Sequence, residues 1–178
     1  MIYNQENITD FNTENRKKYH ENKRFFDRLK NKKIKNLDQE FHPVHDKVFD
    51  KVDCLECGNC CKTTSPIFTD IDIDRIAKHL RIRPAELVKQ HLHLDSDQDY
   101  VLNSSPCTFL GHDNYCSIFE HRPKACREYP HTDRKNIASI LPLTLANTQV
   151  CPAVFEIVEQ LKKAGFGGKY DDSEKGKD

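Results

Sequence analysis

Tryptophan is absent from the 178 residues, methionine occurs once, and the apolar share is only 37%. A chain of this length is enough for one domain of ordinary size plus some disordered margin. So few apolar side chains build only a thin core. Thin cores are commonly supplemented by disulfides or by bound metal ions. The eight cysteines are the obvious source of either kind of support.

Long apolar runs and an excess of either charge are also lacking. The most apolar stretch, residues 140–146, is far shorter than the ~20 residues that span a bilayer, and residues 1–12 lack the apolar centre of a secretory signal. The 28 basic and 28 acidic side chains are interspersed and cancel, so no basic surface for nucleic acid is predicted. We therefore expect a cytoplasmic protein that binds neither membranes nor nucleic acid.

Three motifs of common enzyme classes are missing from the sequence. It contains no glycine-rich phosphate loop, no Gly-x-Ser-x-Gly nucleophile elbow and no His-Glu-x-x-His motif. These absences exclude nucleotide hydrolases, serine hydrolases and zinc proteases of that type. No catalytic residue is assigned from the sequence.

The spacing of apolar residues predicts a mainly α fold with small irregular β elements, as a compact single domain organised around cysteine-ligated metal sites. One helix is predicted over residues 15–33, and a second is predicted to begin at the capping box formed by Thr69 and Asp72. Three further helices are predicted to begin at Pro84, Pro123 and Pro152. Two short strands, residues 100–103 and 115–119, are predicted to flank a turn at residues 111–114.

Local composition divides the chain into three predicted segments. They are a polar N-terminal helical extension over residues 1–45, a cysteine-cluster metal-binding domain over residues 46–168, and a disordered charged tail over residues 169–178. Within the extension, Phe25, Phe26 and Leu29 form a narrow apolar stripe. This stripe either packs the helix on the domain or binds a protein partner.

All eight cysteines lie between positions 54 and 151. In a C-x-x-C loop, two thiolates reach one ion while backbone N–H groups face the sulfurs, and Gly58 suits the left-handed turn of such a loop. In a reducing compartment, metal ligation explains the cluster better than disulfides or buried free thiols do. We expect one or two centres of zinc or iron, the latter including an iron–sulfur cluster. The predicted ligands are Cys54, Cys57, Cys60, Cys61, Cys107, Cys116, Cys126 and Cys151.

The spacing leaves the choice between zinc and iron open. Eight thiolates suit two tetrahedral zinc sites, but the second C-x-x-C knuckle of a zinc ribbon is missing. Cys54, Cys57 and Cys60 match the opening of a bacterial ferredoxin run, and the distant Cys151, which precedes a proline, resembles its Cys-Pro ligand. At the N-terminus of a predicted helix, Cys151 is also favoured as a thiolate. The adjacent Cys61 then belongs to a second site, bridges two metals, or is a redox-active thiol.

Three sequence blocks stand in a characteristic order. They are Cys54-x-x-Cys57-Gly-x-Cys60-Cys61, then Pro106-Cys107-x-Phe109-Leu110, then the segment from Cys116 to Pro130 that contains Arg122-Pro123-x-x-Cys126-Arg127. Together they resemble the YkgJ-like cysteine-cluster (CxxCxxCC) family over about residues 52–160. The resemblance implies chelation of zinc or iron through these cysteines and supplies no substrate. Flagellin lysine methylases carry a similar cluster, which adds protein modification to the roles it suggests.

Several side chains near the cysteines are candidates for supporting roles. Cations beside thiolates offset the charge that a multi-thiolate site accumulates, and Arg127 is also a candidate donor to sulfur or to Glu120. The cation candidates are Lys62, Arg122, Lys124 and Arg127. The alternative ligands are His112 and His131, and the catalytic candidates are Glu120, Arg127 and Tyr129.

We therefore predict a metal-chelating protein whose metal is structural or is handed on, with metal ions and a further protein as candidate partners. One alternative is an iron–sulfur-dependent enzyme that transfers electrons or supports protein modification such as lysine methylation. Another is a thiol redox sensor that uses Cys60 and Cys61. Because structural zinc contributes ~10–16 kcal/mol of apparent binding free energy, we expect the metal-free protein to be largely unfolded.

Overall fold

The structure is a computed structural model that describes residues 8–32, 34 and 36–168. The chain forms two compact units, of which unit 1 comprises Met1–Val52 and His131–Asp178 and unit 2 comprises Asp53–Pro130. The described residues are mainly helical with one two-stranded sheet, so the predicted fold class is confirmed in its secondary structure. The sequence predicts a single compact domain, whereas the contacts divide between two units.

Helices and strands alternate with irregular loops in the described part of the chain. The helices are α1 (Ile8–Asn31), α2 (Leu37–Phe49), α3 (Cys54–Cys57), α4 (Asn59–Thr63), α5 (Asp70–Leu80), α6 (Pro84–His91), α7 (Lys124–Glu128), α8 (Leu141–Thr148) and α9 (Pro152–Lys163). The strands are β1 (Leu92–Leu94) and β2 (Tyr100–Leu102), and single 3-10 turns form at Phe119–His121 and Ile137–Ile140.

Unit 1 is built from α1, α2, α8 and α9 around one apolar core. The predicted stripe on α1 is buried in that core, which also contains Phe41 of α2 and Ile157 and Val158 of α9. The last helix begins at Pro152, as predicted, because proline at the first helical position loses no hydrogen bond. α1 is therefore part of the core of unit 1, and it begins at Ile8, earlier than the predicted residue 15.

The sequence does not predict α2, which continues through the predicted segment boundary between residues 45 and 46. Asp38 in its first turn accepts hydrogen bonds from the backbone N–H groups of Asn136 (2.6 Å) and Ile137 (2.9 Å). The division of the chain into an N-terminal extension (residues 1–45) and a metal-binding domain (residues 46–168) stays a prediction. The predicted disordered tail, residues 169–178, lies outside the described residues.

A charged network is embedded in unit 1. Glu159 of α9 is only 5% exposed, and its carboxylate pairs with Lys18 of α1 and with Lys162. The Lys162 ammonium also donates to Glu21 Oε1 (2.6 Å) and to the buried Asn22 Oδ1 (2.7 Å). The network joins α1 to α9 by charge as well as by apolar packing.

Unit 2 has its own apolar core, formed mainly by α5, α6 and the sheet. The predicted capping box is present, because Thr69 and Asp72 each bond the other's backbone N–H, and α6 begins at Pro84 as predicted. The core side chains are Phe68, Ile73, Ile76, Ala77, Leu87, Leu92, Leu102, Phe109 and Ile118.

Of the two predicted strands, only the first is present as a strand among the described residues. β2 matches the first predicted strand, but it pairs antiparallel with β1, so that Leu92 faces Leu102. In the described residues, the second predicted strand contributes only one antiparallel bridge, between Leu110 and Cys116. β1 follows α6 directly, and the spacing of apolar residues does not separate three strand residues from the end of a helix.

Among the described residues, no single helix is long and apolar enough to cross a membrane. Taken together, the segments Ile137–Thr148 and Pro152–Lys163 are long and apolar enough to span a membrane, but the pair is bent by 116° at the break between them.

Candidate metal centre

The C-x-x-C motif forms a single helical turn, α3, at the start of unit 2. Asp53 caps this turn by accepting the N–H of Leu55 (2.8 Å). Gly58 ends it in the predicted left-handed conformation (φ 58°), with its N–H donated to the carbonyl of Cys54 (2.8 Å). Residues with a Cβ adopt this conformation at a cost, so glycine fits the turn that holds Cys54 and Cys57 close together.

The next two cysteines lie on α4, which starts directly after Gly58. The sulfurs of Cys60 and Cys61 are 3.9 Å apart. The Thr64 hydroxyl donates to the carbonyl of Cys60 (2.8 Å) at the end of the helix, and Lys62 Nζ donates to the carbonyl of Cys57 (3.4 Å). The C-x-x-C turn and the Cys-Cys pair are therefore joined by local hydrogen bonds.

A loop carries Cys107 and Cys116 to the same part of unit 2. The N–H of Cys107 donates to the carbonyl of Cys61 (2.8 Å), and Leu110 forms its bridge with Cys116. The predicted turn between them is present, since the N–H of Gly111 donates to the carbonyl of Tyr115 (2.7 Å).

Asn114, which the sequence places only in a turn, connects this loop to the C-x-x-C motif. Its side-chain amide donates to the carbonyl of Leu55 (2.7 Å). A Cβ placed on Gly58 would lie 3.0 Å from Asn114 Oδ1. The turn before Cys116 therefore packs directly on the turn that bears Cys54 and Cys57.

Cys126 lies on α7, which starts after Pro123 as predicted. The segment before α7 is held by Arg75, whose guanidinium donates to the carbonyls of His121 and Arg122. The N–H of Lys124 donates to the buried carboxylate of Asp72 (3.1 Å). α5 thus positions the short helix that carries Cys126. The spacing of apolar residues in α5 predicts its buried face but does not predict this contact.

The thiols of unit 2 share an electrostatic environment. Burial raises the pKa of Cys57, Cys107 and Cys116, and it raises that of Cys126 to about 12. Cys54 is exposed at its surface, yet the protein surrounding its sulfur also raises its pKa.

Cys61 differs from the other thiols of unit 2. The hydrogen bond with Cys60, opposed by burial and assisted by Lys62, lowers the pKa of Cys61 to about 7. The negative charge of Cys61 contributes to the raised pKa of five other cysteines of the unit. They are Cys54, Cys57, Cys107, Cys116 and Cys126.

Two of the four predicted cations act on the thiols. Lys62 favours the thiolates of Cys57 and Cys61. Arg122, whose guanidinium lies 3.8 Å from the centre of the Phe119 ring, favours those of Cys54, Cys116 and Cys126.

Two other predicted cations have different contacts. Arg127 donates to the backbone carbonyl of Arg122 (2.7 Å), where the sequence predicts sulfur or Glu120 as its acceptor. Lys124 pairs with Glu128 at the surface (3.6 Å).

The remaining candidates are distributed over both units. His112 and Glu120 are exposed in unit 2, and His131 begins the second segment of unit 1. Cys151 also belongs to unit 1, where it packs against the apolar core at the start of α9. Seven of the eight predicted ligands are therefore in unit 2, and the catalytic and histidine-ligand roles stay predictions.

All eight cysteines are free thiols, and all lie in the described residues. In that part of the chain, no three Cys, His, Asp or Glu side chains converge closely enough to hold an ion as they stand. The sequence profile of the CxxCxxCC family, described as "Putative zinc- or iron-chelating domain", matches residues 53–152. The chain belongs to this family. No curated protein and no solved structure gives a significant match to the chain.

The CxxCxxCC match covers all of unit 2 and extends to Cys151 and Pro152. The donors in unit 2 fit the metals in the family's description. Thiolates bind both Zn²⁺ and iron, the seven sulfurs are not consumed in disulfides, and Lys62 and Arg122 supply compensating charge. Metal binding is therefore the activity that family and donor chemistry both indicate.

Proposed function

We propose that this protein chelates zinc or iron through the thiolates of its cysteine cluster, and that the metal either stabilises unit 2 or is handed on. The observation that carries the proposal is the collection of seven free thiols in one compact unit, beside Lys62 and Arg122. For Cys151 the assignment as a ligand rests on the sequence pattern. Thiolate ligands of this kind must stay reduced, which favours a reducing compartment such as the cytoplasm.

The chain's own residues provide the chemistry of binding. When bound, the metal ion supplies a positive centre that holds thiolate ligands together. Each cysteine must release its proton to become a ligand, and Lys62 and Arg122 stabilise the resulting thiolates. Gly58 and Asn114 hold the turn that bears Cys54 and Cys57, while Asp72 and Arg75 hold the start of α7, which bears Cys126. These four residues act as positioning residues.

Elemental analysis of anaerobically purified protein, combined with a visible spectrum, tests the proposal. Zinc gives a colourless protein, whereas an iron–sulfur centre gives a brown one. We expect stoichiometric zinc or iron in the wild type and at least a twofold loss of metal in Cys57→Ser and Cys116→Ser. Ser96→Ala, in the turn between β1 and β2, is the control and should retain full metal content. Wild-type protein without bound metal would overturn the proposal.

An iron–sulfur spectrum would direct attention to the alternative of an enzyme that transfers electrons or supports protein modification. A second candidate function, a thiol redox sensor, is favoured by the 3.9 Å separation of the Cys60 and Cys61 sulfurs. In that reaction one equivalent of hydrogen peroxide oxidises the two thiols to a disulfide and is reduced to two molecules of water. Reactivity of Cys60 and Cys61 toward a thiol label that is retained in the metal-loaded protein, and is then lost after peroxide treatment, would support the sensor.

A further inference from the structure

We propose that Cys60 and Cys61 together form a binding site for trivalent arsenic compounds that carry one organic substituent. Such a compound exchanges its bonds to oxygen for bonds to two sulfurs, so two thiols satisfy it without a third ligand. The inference adds a ligand class to the zinc and iron of the proposed function, and it does not depend on which of those metals the protein binds.

The separation of the two sulfurs is the first argument. They lie 3.9 Å apart, although the side chains of adjacent residues on a helix do not ordinarily face each other. Trivalent arsenic is a soft, pyramidal centre, and its two sulfur ligands lie side by side. A linear ion such as copper(I) instead holds two sulfurs on opposite sides of the metal. The close pair therefore favours a pyramidal acceptor among the soft centres that select thiolates.

The backbone around the pair is the second argument. The carbonyl of Cys61 accepts the N–H of Cys107 (2.8 Å). The carbonyl of Cys60 accepts both the N–H of Thr64 (2.9 Å) and its hydroxyl (2.8 Å). These bonds hold the two backbones and leave each side chain free to rotate about its Cα–Cβ bond. Once one sulfur has bound arsenic, the second bond is intramolecular and forms at a high effective concentration.

Access and charge are the third argument. Both cysteines are half-buried, so a small molecule can reach them from solution. The next residue, Lys62, donates from Nζ to the carbonyl of Cys57 (3.4 Å), which keeps its positive charge on the helix that carries the pair. The thiolate is the nucleophilic form of cysteine, and a neighbouring cation favours it.

The reaction with phenylarsine oxide is a condensation. Each sulfur loses its proton and forms one bond to arsenic, the bond between arsenic and oxygen breaks, and the oxygen leaves with both protons as one molecule of water. Arsenic stays trivalent and neither sulfur is oxidised. The step therefore needs no oxidant or reductant, and the product is a ring that closes through the Cys60-Cys61 dipeptide.

Intact-mass spectrometry of the full chain with phenylarsine oxide tests the site, both in anaerobically purified protein and after treatment with a chelator. In at least one of these forms we expect one phenylarsenic group per chain. The adduct should survive excess 2-mercaptoethanol and be removed by 2,3-dimercaptopropanol, because a chelating dithiol competes with a two-thiol site far better than a monothiol does. No resistant adduct in either form would overturn the inference. Elemental analysis of the same preparation decides separately whether zinc or iron is bound.

Single substitutions identify the two sulfurs. Cys60→Ser and Cys61→Ser should each abolish the resistant adduct. Cys57→Ser, which disrupts the competing C-x-x-C pair, and Cys151→Ser, the control in unit 1, should both retain it. Retention in either of the first two variants, or loss in folded Cys57→Ser, would overturn the inference. Circular dichroism verifies folding, and if a variant does not fold, fragmentation of the wild-type adduct still shows which two sulfurs hold the arsenic.

Discussion

The carboxylate of Asp72 accepts the backbone N–H of Lys124 at 3.1 Å, across 52 positions of sequence. The same side chain closes the capping box of α5 and pairs with Arg75. One buried acid therefore organises the start of two helices, of which the second carries Cys126. The support of Cys126 therefore depends on a residue that lies far from it in the sequence.

Asp72→Asn should destabilise unit 2. The substitution removes the charge that pairs with Arg75 and weakens two helix N-termini, for an expected loss of about 1–3 kcal/mol in the free energy of unfolding. Urea unfolding of the metal-loaded protein measures this loss. Asp74→Asn is the matched control, because Asp74 is exposed on the same helix, and its effect should stay below about 0.5 kcal/mol. Equal effects of the two variants would contradict the organising role of Asp72.

Gly58→Ala should weaken metal binding. Alanine at φ 58° is strained by roughly 1–2 kcal/mol, and its Cβ would press on Asn114 Oδ1. A strain of this size in the metal-bound protein raises the metal dissociation constant about tenfold. Competition with a chromophoric chelator measures this constant. Gly165→Ala is the control, since Gly165 also has a positive φ (76°) but no atom lies within 4 Å of its added Cβ. An unchanged dissociation constant for Gly58→Ala would show that the turn tolerates a side chain.

Glu159→Gln should destabilise unit 1. Removing the partner of a buried ion pair costs ~3–5 kcal/mol when both groups are fully buried. Because Lys18 is 30% exposed, we expect about 2 kcal/mol, measured by urea unfolding. Lys23→Ala, which removes an exposed pair with Asp27, should change stability by less than about 0.5 kcal/mol.

The same network predicts a pH dependence. Although burial alone would raise the pKa of Glu159, hydrogen bonds from Lys162 and Lys18 hold it below its usual 4.5. A lowered folded-state pKa means that the stabilisation is fully present above the unfolded-state pKa and is lost as the pH falls through the folded-state pKa. The unfolding free energy of the wild type should therefore decrease below about pH 4.5 more steeply than that of Glu159→Gln. Parallel pH profiles would contradict this assignment.

Metal removal should act mainly on unit 2. The sequence predicts a largely unfolded metal-free protein, but both units have apolar cores of their own, and seven of the eight candidate ligands lie in unit 2. After treatment with a chelator, hydrogen exchange should accelerate in α3, α4 and α7 and stay slow in α9. Equal loss of protection in α9 would show that both units depend on the metal.

The features that the sequence predicts best are those encoded within a few residues. The capping box of Thr69 and Asp72, the left-handed Gly58 and the helix start at Pro152 each depend on near neighbours. The contact of Asn114 with Leu55 spans 59 positions and leaves no periodic signal. The burial of α1 against α9 is hidden for the same reason, because a stripe of apolar residues identifies a buried face but not its partner.

The chain leaves unit 1 after Val52 and returns to it at His131. During synthesis, α1 and α2 therefore emerge well before α9, whose apolar face completes their core. While unit 2 is being translated, α9 is not yet present to bury Phe25, Phe26 and Phe41. Exposed apolar side chains at this stage can bind chaperones or cause aggregation. An ordered unit 2 shortens the flexible connection that must close for unit 1 to form. The order in which the two units fold therefore affects how quickly α1 and α9 find each other.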